Sequence, residues 1–207
     1  MEGHVTLIVG SERVAQVLRS RLPGSGGRTI FTLPGARKLL VVEGDITNIH
    51  VAAIVNATNG GLHLGAGVSG AIRRRANPSL RVELHRLAGS ARIGRGEVVL
   101  TGAHGLPNVR AILHANAVSG DPEVVESATV GSLELASSNG LESVALPLLG
   151  AGTGGLAVAV AARRMVQGIV RWAAVDFGPT ELVMLVAWGD AAWKEARDAA
   201  AEQLRPS

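Results

Sequence analysis

Apolar runs of strand length alternate along this chain with stretches of helical periodicity, and that alternation leaves few folds open to it. "AAIVNATN" (52–59), "VRAILHANA" (109–117), "ESVALPLL" (142–149) and "ELVMLVAW" (181–188) read as buried strands, and "GEVVLTG" (96–102) adds another. Such strands need cover on both sides, which helices on the two faces of a mostly parallel sheet supply. The intervening segments fit that cover. "SGAIRRRAN" (69–77) reads as a short helix capped by Ser69 and stopped before Pro78, and "SLRVELHRLA" (79–88) as a second with Leu80, Leu84 and Leu87 on one face. Further helices are expected over about 121–139, ending at Gly140, over about 156–174 and over 190–204. Upstream, "RTIFTLPGARKLLVVEGDI" (28–46) reads as a hairpin turning at Pro34-Gly35. A strand at 4–10, a Ser11-capped helix at 11–22 and a break at "PGSGG" (23–27) precede it.

Composition narrows the function classes. At 207 residues, 47% of them apolar and 18% charged, the chain suits one folded domain with a small addition. No apolar run is long enough to span a bilayer, so no membrane association is expected. The opening "MEGHVTLIVGSERV" lacks a basic segment followed by an apolar core, and cytoplasm is the default location. The absence of cysteine excludes disulfides and thiolate metal sites. His63, His85, His104 and His114 show no metal-ligand spacing and no carboxylate partner in sequence, so no metal or cofactor is expected. His114, inside the apolar "AILHANA", reads as a hydrogen-bonded core histidine, and Ser119 and Ser127 stand in ordinary loop and helix contexts. Net charge is +3, and every basic residue but Lys38 and Lys194 is arginine, a side chain that grips phosphate bidentately. "RRR" (73–75) offers a surface for acidic partners, nucleic acid included. With aromatics at 2% and no tyrosine, however, base-stacking platforms are scarce and nucleic acid is not favoured. The pattern sets no oligomeric state.

Two near-duplicate segments carry the chemistry: "LGAGVSG" (64–70) and "LGAGTGG" (149–155). A glycine loop before a helix presents backbone N–H groups at the positive end of the helix dipole, which is an anion site. Either one matches the G-x-G-x-x-G spacing, but the dinucleotide reading fails on context. In that motif the glycines follow the first strand directly, and an acidic residue about twenty positions on closes the next strand. Here "GGLHL" intervenes, and Glu83 falls inside an amphipathic helix. Both loops follow strand C-termini, which share one edge in a parallel sheet. Two loops there could hold one diphosphate from both sides.

The segment "VVEGDITNIHVAAIVNATNGGLHLGAGVSGAI" (41–72) resembles the opening of a macrodomain: a G-D-I tripeptide, a buried strand ending in N-A-x-N, then a glycine-rich loop. "GEVVLTGAHGLP" (96–107), "AILHANA" (111–117) and "SVALPLLGAGTGG" (143–155) continue the pattern, which covers roughly 37–204. The resemblance implies a three-layer α/β/α fold with a central mixed, mostly parallel sheet over residues 37–207, with 1–36 as an N-terminal addition and start of the hairpin. It implies a site for ADP-ribose or an ADP-ribosylated protein. Asp45 and the Ile46 backbone would take the adenine, Asn59 the distal ribose, and Asn56 would hold the loop. Gly65, Ala66, Gly67, Val68 and Ser69 would surround the diphosphate together with Gly150, Ala151, Gly152, Thr153 and Gly154. Trp188 would lie against the adenine. An enzyme at the same site, hydrolysing ADP-ribosyl esters or O-acetyl-ADP-ribose with Asn59 as its catalytic residue, is the alternative. One branch of the family places an aspartate in the first loop, in a G-V-D-G context, to help place or activate water; this chain has Ser69 there, a poor base suited to capping. Gly154 stands where that branch often carries an aromatic, so the second loop is expected to be open to a larger attached group.

Overall fold

The apolar runs form one seven-stranded sheet in the computed structural model, which describes residues 27–90, 92–175 and 178–204. The strand and helix expected at 4–22 lie outside the described residues. The strands are β1 (Arg28–Thr32), β2 (Lys38–Glu43), β3 (Ala53–Thr58), β4 (Val98–Gly102), β5 (Ala111–Asn116), β6 (Ser143–Pro147) and β7 (Leu182–Ala187). The helices are α1 (Gly67–Arg75), α2 (Ser79–Ser90), α3 (Pro122–Ser138), α4 (Val158–Val175) and α5 (Asp190–Gln203). Spatial order is β1-β2-β7-β6-β3-β5-β4. The β1–β2 and β4–β5 pairs are antiparallel and the four inner pairs parallel, so the sheet is mixed and mostly parallel as the alternation requires. The expected hairpin is present, with Gly35 at φ 70 in its turn.

β2 shows how one strand serves two layers. Leu39 and Val41 face one side and Leu40 and Val42 the other, and all four are buried. The first pair packs with Val125 and Leu133 of α3, Met165 and Ile169 of α4 and Ala196 of α5. The second packs with Ile72 of α1 and Leu80 and Leu84 of α2. Each such side chain contributes about 1.5–3 kcal/mol when fully removed from water. The result is the α/β/α sandwich, with α1 and α2 on one face and α3 to α5 on the other.

Helix ends follow local chemistry. Asp121 caps α3 by accepting from the Glu123 N–H at 3.0 Å, and Gly140 at φ 68 follows its last turn. α1 departs from expectation. It begins at Gly67 with Ala66 as N-cap and no side-chain cap, so Ser69 lies in the first turn and does not cap the helix.

Candidate functional site

Strands β2, β7, β6 and β3 run parallel and end along one edge of the sheet in that spatial order. Whatever follows each strand is laid out across that edge: Asp45 after β2, Trp188 after β7, the second glycine loop after β6 and the first after β3. β3 and β6 pair only at Ala53 with Val144 and Ile54 with Ala145, so their C-terminal halves part. From β3 the chain proceeds toward β4 and β5, and from β6 toward β7 on the opposite side. That is the switch point at which open α/β sheets bind ligands.

A cleft of about 570 Å³ opens there. Its walls bring together Asp45, Ile46, Gly67, Val68, Ala151, Gly152 and Trp188. Asn56, Asn59, Gly65, Ala66, Ser69, Gly150, Thr153 and Gly154 are not part of those walls. Trp188 is 79% exposed, so its ring is available at the cleft and not spent in the core. Among the described residues Asp45 is the one carboxylate of the cleft wall and Arg74 the one cation.

Asp45 is held by its own turn. Its Oδ1 accepts from the Thr47 N–H at 2.9 Å and from the Thr47 hydroxyl at 2.7 Å, while Thr47 Oγ1 accepts from Arg75 Nη1 at 2.9 Å. Both bonds fall on one oxygen, so Oδ2 retains its capacity to accept. Thr47 and Arg75 were not legible as site residues. The D-x-T spacing is the one local signal, since Asp side chains bond the backbone two residues on.

In the first loop, Gly67 and Val68 begin α1 on the cleft wall. First-turn N–H groups have no intrahelical partner, and Gly67 and Val68 set this positive end of the helix at the cleft wall. Ser69 is turned away. It is 4% exposed, and its one hydroxyl proton points at Asn56 Oδ1, 2.7 Å away, with the Ala57 carbonyl a second acceptor at 2.9 Å. It ties the loop to β3.

That tie continues through the core. Asn56 Nδ2 lies 3.1 Å from His114 Nδ1, and His114 Nε2 lies 3.0 Å from Thr101 Oγ1, whose hydroxyl is 3.1 Å from the Gly102 carbonyl. One proton arrangement satisfies all of them. Thr101 donates to Gly102, His114 Nε2–H donates to Thr101, Asn56 donates to His114 Nδ1, and Ser69 donates to Asn56. The ring must then be neutral. Burial, with the charge of His104 second, holds its pKa down at about 3. His114 is the satisfied core histidine its context suggested.

Asn59 is exposed just beyond β3. Its Oδ1 accepts from the Gly61 N–H at 3.0 Å and lies 3.3 Å from His63 Nδ1. The second loop corrects one expectation. A Cβ at Gly154 would stand 2.6 Å from the Gly150 carbonyl oxygen, so the loop is folded tightly on itself there and is not open. Open space lies instead at Gly152, where nothing approaches a Cβ within 4 Å.

Outside the cleft, Ser79 Oγ lies 2.8 Å from His104 Nδ1, whose Nε2 lies 2.5 Å from Glu83 Oε2. No carboxylate stands near His104 along the chain, and the fold supplies one from 21 residues away. The nearby N–H groups of Ser79, Leu80 and Arg81 are taken by Asn77 and Pro78, which leaves no oxyanion donors beside Ser79. The trio clasps α2 to the β4–β5 loop. Among the described residues no three His, Asp or Glu side chains are placed to hold a metal ion, and no helix is long and apolar enough to cross a membrane.

Comparison with known proteins gives one answer by sequence and by shape. The model of the Macro domain matches residues 55–165. A protein of Aeropyrum pernix is 34% identical over 180 residues, covering 82% of this chain and 89% of its own. An Escherichia fergusonii protein named O-acetyl-ADP-ribose deacetylase is 34% identical over 64% of this chain and 78% of its own. The Oceanobacillus iheyensis macrodomain with ADP superposes with a TM-score of 0.80 at 25% identity, covering 86% of this chain and 97% of that one. The Trypanosoma brucei macrodomain in complex with ADP-ribose gives 0.70 at 27%, covering 77% and 68%. The split between β3 and β6, the loops on either side of it and these likenesses lead to the same place: the chain belongs to the macro domain family.

Proposed function

We propose that the protein binds ADP-ribose, or a protein carrying it, along the C-terminal edge of the sheet. One observation carries this reading: Asp45, Trp188 and the two glycine loops, far apart in sequence, converge on one cleft in the order a nucleotide diphosphate presents its parts. Asp45 Oδ2 accepts from the adenine amino group, the Ile46 backbone assists, and the Trp188 ring covers the base. The N–H groups of Gly67 and Val68 meet the diphosphate from one side and the second loop, with Ala151 and Gly152 at the wall, from the other. Arg74 adds positive charge at the rim. The distal ribose extends past the cleft toward Asn59. The known complexes of the Oceanobacillus iheyensis and Trypanosoma brucei macrodomains support this choice of ligand.

The chain has three tryptophans, and only Trp188 is largely exposed, with Trp172 buried and Trp193 partly so. Titration with ADP-ribose, followed by calorimetry and by tryptophan fluorescence, is expected to show saturable binding with quenching that Trp188→Phe removes. Asp45→Ala should weaken binding roughly 10- to 100-fold, the worth of a hydrogen bond to a charged group. AMP should bind far more weakly than ADP-ribose. Unchanged affinity in Asp45→Ala would refute the assignment.

Ester hydrolysis at the same site is the second reading, favoured by the 34% identity to the deacetylase. Ser69 is engaged with Asn56 and Ala57, so it is not placed as the base. Asn59, whose Oδ1 lies 3.3 Å from His63 Nδ1, is the residue this reading assigns to catalysis. Release of acetate from O-acetyl-ADP-ribose by the wild type and its loss in Asn59→Ala would establish turnover. Binding without release would leave the protein a reader of ADP-ribose.

A further inference from the structure

A second groove, of about 810 Å³, lies beyond Asn59 on the far side of the first loop. Its walls come from the 61–64 segment, from Arg73 of α1 and from Pro78, Arg81, Val82, Leu84 and His85 of α2. The floor is apolar, with Leu62 and Leu84, and Val82 beside it is 71% exposed. The charged side chains of the groove are Arg73 and Arg81, with His63 and His85 beside them, and among the described residues no carboxylate lines it. Glu83, the one acid between Arg81 and His85 on α2, is drawn off to His104 at 2.5 Å. Arg73 is braced by its bond to the Leu64 carbonyl at 3.0 Å, which holds the guanidinium over the loop. Among the described residues neither Arg73 nor Arg81 is paired with a carboxylate.

The groove and the cleft take neighbouring residues of α1, Arg73 and Arg74. His63 belongs to its wall and also sits against Asn59 Oδ1. A group attached to the distal ribose would leave the cleft at this point. We propose that the groove receives an acidic, partly apolar peptide segment flanking an ADP-ribosylated residue, so that the modified acidic segment binds more tightly than its nucleotide alone. This rests on the ADP-ribose reading of the cleft. An apolar floor with a cationic rim fits alternating Leu and Glu side chains. It fits a single-stranded nucleic acid poorly, because the groove holds no Trp, Tyr or Phe ring on which bases would stack.

The test titrates the full chain with a short Leu/Glu peptide bearing ADP-ribose through a non-hydrolysable linkage, with the same peptide having Gln for every Glu, and with free ADP-ribose. At low salt the Glu peptide is expected to bind about fivefold tighter than the Gln peptide, the gain of a few exposed charge contacts acting beside an anchored nucleotide. That gain should shrink at high salt and vanish in Arg81→Gln combined with His85→Gln. The same double variant should bind free ADP-ribose as the wild type does, which also reports that it is folded. Equal binding of the Glu and Gln peptides, or a gain that survives the double variant, overturns the proposal. If free ADP-ribose does not bind at all, the nucleotide reading fails by itself. The unmodified Glu peptide then decides the groove: binding that depends on Arg81 and His85 upholds an acidic-peptide site, and no binding overturns it. An oligouridine that binds through Arg81 more tightly than the unmodified Glu peptide overturns the choice of partner class.

Discussion

Gly150→Ala is expected to lower the stability of the protein by about 2–5 kcal/mol, while Gly155→Ala costs about 1–2 kcal/mol and Gly152→Ala almost nothing. All three glycines lie in the second loop, and they separate three physical effects. Gly150 and Gly155 both sit at φ 77, where an L-residue is strained by about 1–2 kcal/mol. Around Gly155 nothing lies within 4 Å of a Cβ, so only that strain is felt. At Gly150 the added methyl would stand 2.6 Å from Val125 Cγ2 and 3.0 Å from Leu156 Cδ1. Val125 is fully buried in the α3 face of the core and cannot retreat, so overpacking adds about 1–3 kcal/mol. Gly152 has neither a positive φ nor a neighbour within 4 Å, but it belongs to the cleft wall. Gly152→Ala should therefore keep its urea midpoint and lose affinity for ADP-ribose, whereas Gly155→Ala should do the opposite. Urea unfolding of the three variants checks the first order, and calorimetry the second. Equal midpoints for Gly150→Ala and Gly155→Ala would show that the loop relaxes around the methyl group.

The second loop also marks where the sequence stopped being legible. That a glycine cluster follows β6 is a local fact, and alternation of strands and helices is enough to put its loop on the same edge as Asp45, Trp188 and the first loop. Which glycine faces open space and which faces Gly150's own carbonyl depends on how the loop folds back, and nothing in "LGAGTGG" encodes that by spacing. Ser69 was misread for the same reason. Its position before a helical run suggests a cap, but its partner Asn56 lies 13 residues upstream on β3 and becomes a neighbour only when the loop folds back over that strand. The Glu83–His104 and Arg75–Thr47 contacts span 21 and 28 residues. The "RRR" run reads as one basic patch, yet successive residues of a helix turn by about 100°. Arg73 therefore reaches the second groove, Arg74 the cleft and Arg75 the Thr47 turn behind Asp45. One tripeptide serves three separate places, a division only the helix geometry makes.

Mild acid is expected to weaken the protein through His114, by about 2 kcal/mol between pH 7 and pH 5. The sign follows from where the proton goes. In the folded chain the ring, buried between Asn56 and Thr101, has a pKa of about 3, against the ordinary 6.5 of an imidazole in water. Between these values the unfolded chain binds a proton that the folded chain refuses, so stability is complete above about pH 6.5 and drains away as pH falls toward 3. Each pH unit inside that window costs about 1.4 kcal/mol. Protonation would also place an N–H at both ring nitrogens, one of them facing the Asn56 amide donor. The amide would have to turn, its oxygen would leave Ser69, and the first loop would lose its tie to β3. Nucleotide affinity of the folded protein should therefore hold while stability declines, and fall only near pH 3, where the folded ring itself takes the proton. Thermal unfolding at pH 7 and pH 5 is expected to give a drop in Tm that is markedly smaller in His114→Gln, which cannot take the proton. An NMR titration of the wild type should find the His114 ring neutral down to about pH 4. A ring that titrates near 6.5, or an equal acid slope in wild type and variant, would detach His114 from the loop and place the acid sensitivity among the surface carboxylates.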